Sequence, residues 1–188
     1  MSLYSISLLL HIVGALALGG ALALEWAGVV GLRRATTAGQ AREWIRLLAG
    51  VRFVAGPAAA VVLASGIHLT ATRWGPEGWI LAGLAGMVAI AVLGPALGGR
   101  RITAIARALP VEDGPLSAPV GRALVDPVLT LSMWLRTALL LGVVFLMSSK
   151  PGAPGAVTAM GVALVLGLAA GIPNWRGGAR RASSAARG

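Results

Sequence analysis

Few side chains in this sequence can do chemistry. There are two histidines, six carboxylates and no cysteine. The lack of cysteine excludes a disulfide framework, a thiolate metal site and a cysteine nucleophile. Both histidines stand inside long apolar runs, each at the head of small residues four apart. His11 is followed by Ala15, Gly19 and Ala23; Gly56, Ala60 and Ala64 lead to His68. Residues at that spacing share one helix face, and a small-residue face lets another helix or a flat ligand come close. Two chemistries fit. The imidazoles could be axial ligands of a b-type haem held between their helices, or they could hydrogen-bond across a tightly packed helix pair. Bis-imidazole ligation holds backbones apart and small-residue packing draws them together, so one level of one helix pair serves only one of these. Zinc would want three or four ligands. Copper(I) would want clustered Met or Cys, whereas Met87, Met133, Met147 and Met160 are scattered over different runs.

Arg136 is the second anomaly, a charge well inside an apolar run. A charge near a bilayer centre is costly and faces a partner, water or the bundle interior. Glu25 and Asp126 are the candidate partners within the chain; a ligand anion or a neighbouring subunit would serve too. The arginine is then either half of a structural ion pair or part of an anion or proton site. Asp126-Pro127 reads as a helix start, with Asp accepting orphan N–H groups and Pro in the first turn. Gly94-Pro95 reads as a loosened helix segment. No phosphate-binding glycine loop, HExxH or GxSxG motif is present, which leaves no basis for soluble-enzyme chemistry.

Composition says what must position these residues. The chain is 188 residues long, 57% hydrophobic and only 12% charged, about half the charge of a soluble domain. A spanning helix needs about 20 apolar residues, and five runs qualify: 5–30, 53–71, 79–97, 128–147 and 156–172. The fold class is therefore all-α: a polytopic membrane protein of five transmembrane helices in a helical bundle. Residues 1–175 form one integral membrane domain and 176–188 a basic tail, with 183–188 expected to be disordered and drawn to anionic lipid. The first run has no basic leader or small-residue cleavage site, so it is expected to stay as a span.

The net charge of +10 would suggest nucleic acid in a soluble protein, but the arginines lie between apolar runs. Arg33, Arg34, Arg42, Arg46 and Arg52 lie between spans one and two. Arg100, Arg101, Arg107 and Arg122 lie between spans three and four, and Arg176, Arg180, Arg181 and Arg187 follow span five. Only Arg73 and Lys150 fall at the other end. Basic loops stay cytoplasmic, so the N-terminus is expected outside and the C-terminus inside. The expected setting is the bacterial inner membrane, with lipid, other membrane subunits or a second copy as partners, anionic lipids at the cytoplasmic face, and no nucleic acid. Tyr4, Trp74 and Trp79 are expected at the outer interface, Trp26 and Trp175 at the inner one, while Trp134 falls inside a span. The segment Thr36–Leu48 reads as a short amphipathic helix with Trp44, Leu47 and Leu48 against lipid, and Leu109–Pro119 as a cytoplasmic loop. Ala163, Gly167 and Gly171 make a further small-residue packing face on span five.

The stretch Leu10-His11-Ile12-Val13-Gly14-Ala15 followed by Gly19-Gly20 resembles the first span of several small bacterial membrane families. These are the copper-resistance D-type membrane proteins, the HemJ-type protoporphyrinogen oxidases and related uncharacterised integral membrane domains. Ala64-Ser65-Gly66-Ile67-His68-Leu69, and Phe145-Leu146-Met147-Ser148-Ser149-Lys150-Pro151, resemble the uncharacterised members. The likeness covers spans one to four, with span five as an addition. It implies a four-helix bundle with His11 as a haem ligand. The match to the oxidases stops at His11, and the Met- and His-rich features that copper handling would want are absent.

Three functions follow as expectations, none of them an enzyme acting alone. The leading one binds haem b through His11 and His68 and serves electron transfer or a membrane oxidoreductase as an accessory subunit. The second is a cofactor-free structural or assembly subunit. The third is an ion or small-anion transporter using Arg136.

Overall fold

The computed structural model describes residues 2–185, and side chains as far as Ile172. About 88% of the chain is helical and the described residues form no strand, so the all-α expectation holds. Five helices are long and apolar enough to cross a membrane: Leu3–Arg34, Ala38–Trp74, Gly78–Ala108, Ala118–Ser149 and Ala153–Ile172.

Helix α1 (Leu3–Arg34) starts where Ser2 accepts a hydrogen bond from the Ser5 amide, and its 32 residues reach about 48 Å at helical rise. Helix α2 (Ala38–Leu69) starts at a Thr37 cap, carries Pro57 in its interior and runs on through a wide turn over Thr70–Trp74. Helix α3 (Gly78–Leu93) passes into a π segment, Gly94–Gly99, and then into α4 (Arg100–Ala108). Pro95 has no N–H to give to the turn before it, which explains why the chain loosens there. Helix α5 (Ala118–Leu124) leads to α6 (Pro127–Ser149), whose first turn is capped by Asp126 accepting from the Val128 amide at 2.8 Å. Lys150, in the left-handed conformation, ends α6 before α7 (Ala153–Ala185).

Two tight hairpins, α1–α2 and α6–α7, make the bundle, with α3 packed on the second. One core cluster joins Leu18, Ala58 and Val62 to Met87, Leu139, Val143, Leu146 and Met160; another joins Leu22, Val29 and Leu32 to Ile105, Leu124 and Leu129. Ala156 is fully buried and Met160 nearly so. The fifth span is thus part of the core rather than an addition to a four-helix bundle. Gly167 and Gly171 face α6: a Cβ on Gly167 would lie 3.0 Å from the Leu135 Cα, and one on Gly171 would lie 3.2 Å from the Leu131 Cα. Helix α7 also continues through the stretch expected as a tail from 176. The side chains of Trp175 and of that tail lie outside the described residues, as do residues 186–188.

Three other expectations change. The stretch Thr36–Leu48 is no separate surface helix but the first turns of α2, and its apolar side faces α1. The glycines at 28 and 31 make this contact: Leu48 packs where a Gly28 side chain would stand, and Trp44 where a Gly31 side chain would. The small-residue line on α2 does not pack on α1 either. Gly56, Ala60 and Ala64 are exposed, while Val51, Ala58, Val62, Ser65 and Leu69 are buried. On α1, Ala23 is exposed and Gly19 has no neighbour within 4 Å of its Cβ direction, whereas Gly14, Leu18 and Ala21 are buried. Trp79, expected in the lipid interface, is buried under Trp74 in an edge-on ring pair at 5.8 Å.

The loop after α4 docks on the start of α2. Ala38 donates to the Gly114 carbonyl at 3.0 Å and Leu116 to the Thr36 carbonyl at 3.3 Å. The Asp113 carboxylate accepts from the Gly39 amide at 2.7 Å and the Gly114 amide at 3.0 Å, and Arg42 donates to the Pro110 carbonyl. The Gly39 hydrogen bond, foremost, holds the Asp113 carboxyl below its ordinary value. A lowered folded pKa means that this contribution is complete above the ordinary carboxylate pKa, about 4, and is lost as pH falls through the lowered value. Exchange of the Gly39 amide is therefore expected to accelerate below about pH 4, beyond its intrinsic pH dependence. Asp113→Asn is expected to abolish that acid-dependent excess; an identical profile in the variant would contradict the assignment.

Candidate functional site

Charged and polar side chains inside the spans concentrate on one seam, where α1 meets α6. Arg136 of α6 pairs with Glu25 of α1; one guanidinium nitrogen makes a close contact and Nη2 donates to Oε1 at 3.2 Å. The two side chains are 12% and 19% exposed, a largely desolvated pair. One residue on, the Trp26 indole donates to the Thr137 hydroxyl at 2.9 Å. Two turns further along α1, Arg33 donates to the buried Thr130. From Glu25–Arg136 and Trp26–Thr137 to Arg33–Thr130 the contacts move on along α1 and back along α6, the register of an antiparallel pair. Trp134, 37% exposed, stands edge-on to Trp26 at 5.1 Å beside the seam.

The loosened part of α3 makes room for the pair. A Cβ on Gly94 would lie 3.1 Å from the Arg136 Cζ, so the guanidinium rests on bare backbone. Ser132 donates to the Leu93 carbonyl at 3.4 Å beside it. Arg136 Nε, buried, has no acceptor among the described residues. Beside it Leu18, Ala21, Leu22, Ala55, Ile90 and Leu140 enclose a cavity of only about 10 Å³ with the two charges. That is room for about one water-sized sphere. Asp126, the other candidate partner for Arg136, is taken by Arg101 at 2.7 Å near the base of α6.

His11 lies apart from this seam, against α2. Its Nδ1 is 3.1 Å from the Val62 carbonyl and 3.2 Å from the Ser65 hydroxyl, which itself donates to the Val61 carbonyl. A carbonyl only accepts, so Nδ1 carries the proton, and in the neutral ring Nε2 holds the lone pair. His68 stands two residues beyond Gly66, whose Cβ direction meets the His11 ring at 3.2 Å. The two imidazoles therefore sit at similar depth, as the antiparallel helices imply. His68 makes no side-chain hydrogen bond among the described residues.

The residues between α1 and α2 do not fit a haem at this level. A Cβ on Gly14, one turn from His11, would lie 2.9 Å from a Val62 methyl and 3.3 Å from the Ala58 carbonyl. The helices are in direct contact, with no layer left for a porphyrin. Among the described residues no group of three or more His, Cys, Asp or Glu could hold a metal ion.

Fold and site together define the class: an all-helical chain with the make-up of a multi-pass membrane protein, with α1 and α6 tied together by a largely desolvated ion pair. Comparisons with protein-family models, curated proteins and solved structures gave no match.

The pair Glu25–Arg136 was visible in the sequence as two charges within apolar runs. Thr130 and Thr137 carry no signal in the sequence, and Gly94, Trp26 and Ser65 stand out there for other reasons: a loosened turn, an interfacial belt and a family resemblance. A glycine seat under an arginine, or a hydroxyl facing an indole, has no spacing of its own to mark it.

Proposed function

We propose that this chain is a structural or assembly subunit of the bacterial inner membrane, acting through its outer surface rather than through an interior cofactor or pathway. Its N-terminus would face out and its arginine-rich ends the cytoplasm, since basic loops are retained inside. The observation that carries the reading is the α1–α6 seam: Glu25, Trp26 and Arg33 find their partners in Arg136, Thr137 and Thr130 of the same chain. The cavity beside Arg136 is small and lined mainly by apolar side chains, and the charge of the arginine is already met by Glu25, which counts against an ion pathway there. The exposed small-residue line Gly56–Ala60–Ala64 then offers the surface on which a helix of another subunit can pack closely.

A haem-binding reading keeps one favourable observation. The Nδ1–H of His11 is given to a carbonyl, the arrangement that metal-bound histidines use to fix their tautomer, and Nε2 has no partner among the described residues. Any such haem would lie outside the α1–α2 contact.

One preparation separates the two. The protein is taken from its membrane in mild detergent, and its particle mass and reduced-minus-oxidised visible spectrum are recorded. The expected result is a particle larger than one chain with no haem band, reduced to a single folded chain by Gly56→Leu with Ala60→Leu. A b-type band near one haem per chain that disappears in His11→Ala would replace this reading with the haem one.

A further inference from the structure

The wide turns of Gly94–Gly99 also shape the outside of the bundle. There α3 and α4 present an open groove of about 780 Å³, whose lining includes Val92, Ala96, Gly99, Arg100, Thr103 and Arg107. Its chemistry changes along its length. Val92 and Ala96, exposed and apolar, form one end; Arg100 and Arg107 form the other. Seven residues apart, the two arginines share a helix face about 10 Å apart along the axis, within reach of one group between them. Neither has a carboxylate or hydrogen-bond partner among the described residues, in contrast to Arg33, Arg42, Arg101 and Arg136, and no lining residue is acidic. The Thr103 hydroxyl spends its proton on the Gly99 carbonyl at 3.0 Å, so the arginines alone supply donors. Asp126, paired with the neighbouring Arg101 at the foot of α6, puts this cationic end at the level where the spans begin.

We propose that this groove binds one anionic phospholipid, its phosphate between Arg100 and Arg107 and an acyl chain along Val92 and Ala96. An uncovered groove that is apolar toward the bilayer and doubly cationic at its edge complements that amphiphile. Small residues at 96 and 99 let it approach the backbone. The site rests on the five spans crossing a membrane and is independent of the subunit reading.

Native mass spectrometry of the full chain, released from mixed micelles of phosphatidylglycerol and phosphatidylethanolamine, tests it. One retained phosphatidylglycerol per chain is expected. Arg100→Gln with Arg107→Gln is expected to lower its retention about thirty-fold, at about five-fold per interfacial arginine, while Arg100→Lys with Arg107→Lys preserves most of it. Arg34→Gln with Arg46→Gln removes the same charge elsewhere at that end and is expected to change little. Equal losses in the two glutamine pairs would reduce the effect to bulk charge and overturn the site. So would unchanged retention without Arg100 and Arg107, or displacement of the lipid by inorganic phosphate at a similar concentration. All four substituted arginines are exposed, and helical content by circular dichroism checks that each variant is folded.

Discussion

Glu25→Gln is expected to destabilise the bundle by about 3–5 kcal/mol, the cost of leaving a buried charge without its partner. The reason is asymmetric. A guanidinium cannot shed its proton in a protein, so Arg136 would stay charged on the Gly94 backbone with its carboxylate gone. Arg136→Met is expected to cost less, because the orphaned Glu25 is the more exposed of the two and keeps some contact with water. Replacing both, Glu25→Leu with Arg136→Met, removes the desolvation cost along with the attraction. That variant is expected to fall within about 1–2 kcal/mol of the parent or above it, as buried pairs exchanged for apolar residues do. Unfolding of the four proteins by denaturing detergent in mixed micelles measures each effect. Two small and additive single effects would mean that the seam is not held by this pair.

Gly167→Leu has the second large expected effect. The missing side chain at 167 faces backbone: the Leu135 Cα at 3.0 Å and the Trp134 carbonyl at 3.2 Å, with the Ala138 Cβ at 3.1 Å. None of these can turn aside as a flexible side-chain tip would, so α7 must move off α6. Overpacking of this kind costs about 1–3 kcal/mol, and Met160 and Ala163, buried in the same face, would lose contact as well. Leu164→Ala, also on α7 but 41% exposed, is the control and is expected to change little. Unfolding midpoints in mixed micelles measure both. Equal, small shifts would mean that α7 lies loosely on the bundle, as an added span would.

The number of long apolar helices was legible because apolar runs of that size have few uses other than crossing a membrane, whereas their lengths were not: the second begins at Ala38 rather than near 53, and the third runs on to Ala108 rather than 97. The Asp126 cap and the softened Gly94-Pro95 segment were legible as well, since missing or orphaned N–H groups act locally. The inward faces were not. Gly56, Ala60 and Ala64 make as regular a stripe as Ala58, Val62 and Ser65 do, and only the second set is buried. A helix that is apolar all round carries no periodic mark of its inner side. Which stripe is inside is decided by shape: Val62 fits the notch at Gly14, Leu48 the notch at Gly28 and Trp44 the one at Gly31. For the same reason the apolar side of Thr36–Leu48 could be found from spacing, whereas its contact with α1 in place of lipid could not.

The ion pair stands between these extremes. Glu25 and Arg136 were conspicuous as charges, and their helices run antiparallel with both residues near the arginine-rich end. What the sequence left open was the choice among Glu25, Asp126, a ligand anion and a neighbouring subunit. The structure pairs Arg136 with Glu25 and engages Asp126 with Arg101 and with the Val128 amide. His11 shows the opposite case. Its helix face was legible, but the hydrogen bond that fixes its tautomer goes to a backbone carbonyl, which no side-chain pattern announces.

If the chain works through its outer surface, the exposed line on α2 is where another helix must be found. The sequence contains no cysteine, so a single introduced thiol is unambiguous. Ala60→Cys in native membranes, treated with a short thiol-to-amine cross-linker, is expected to give a discrete product heavier than the single chain. Val88→Cys on α3, 52% exposed, is expected to give none. A product of the same yield from both positions, or from neither, would contradict the claim that the Gly56–Ala60–Ala64 face is an assembly surface.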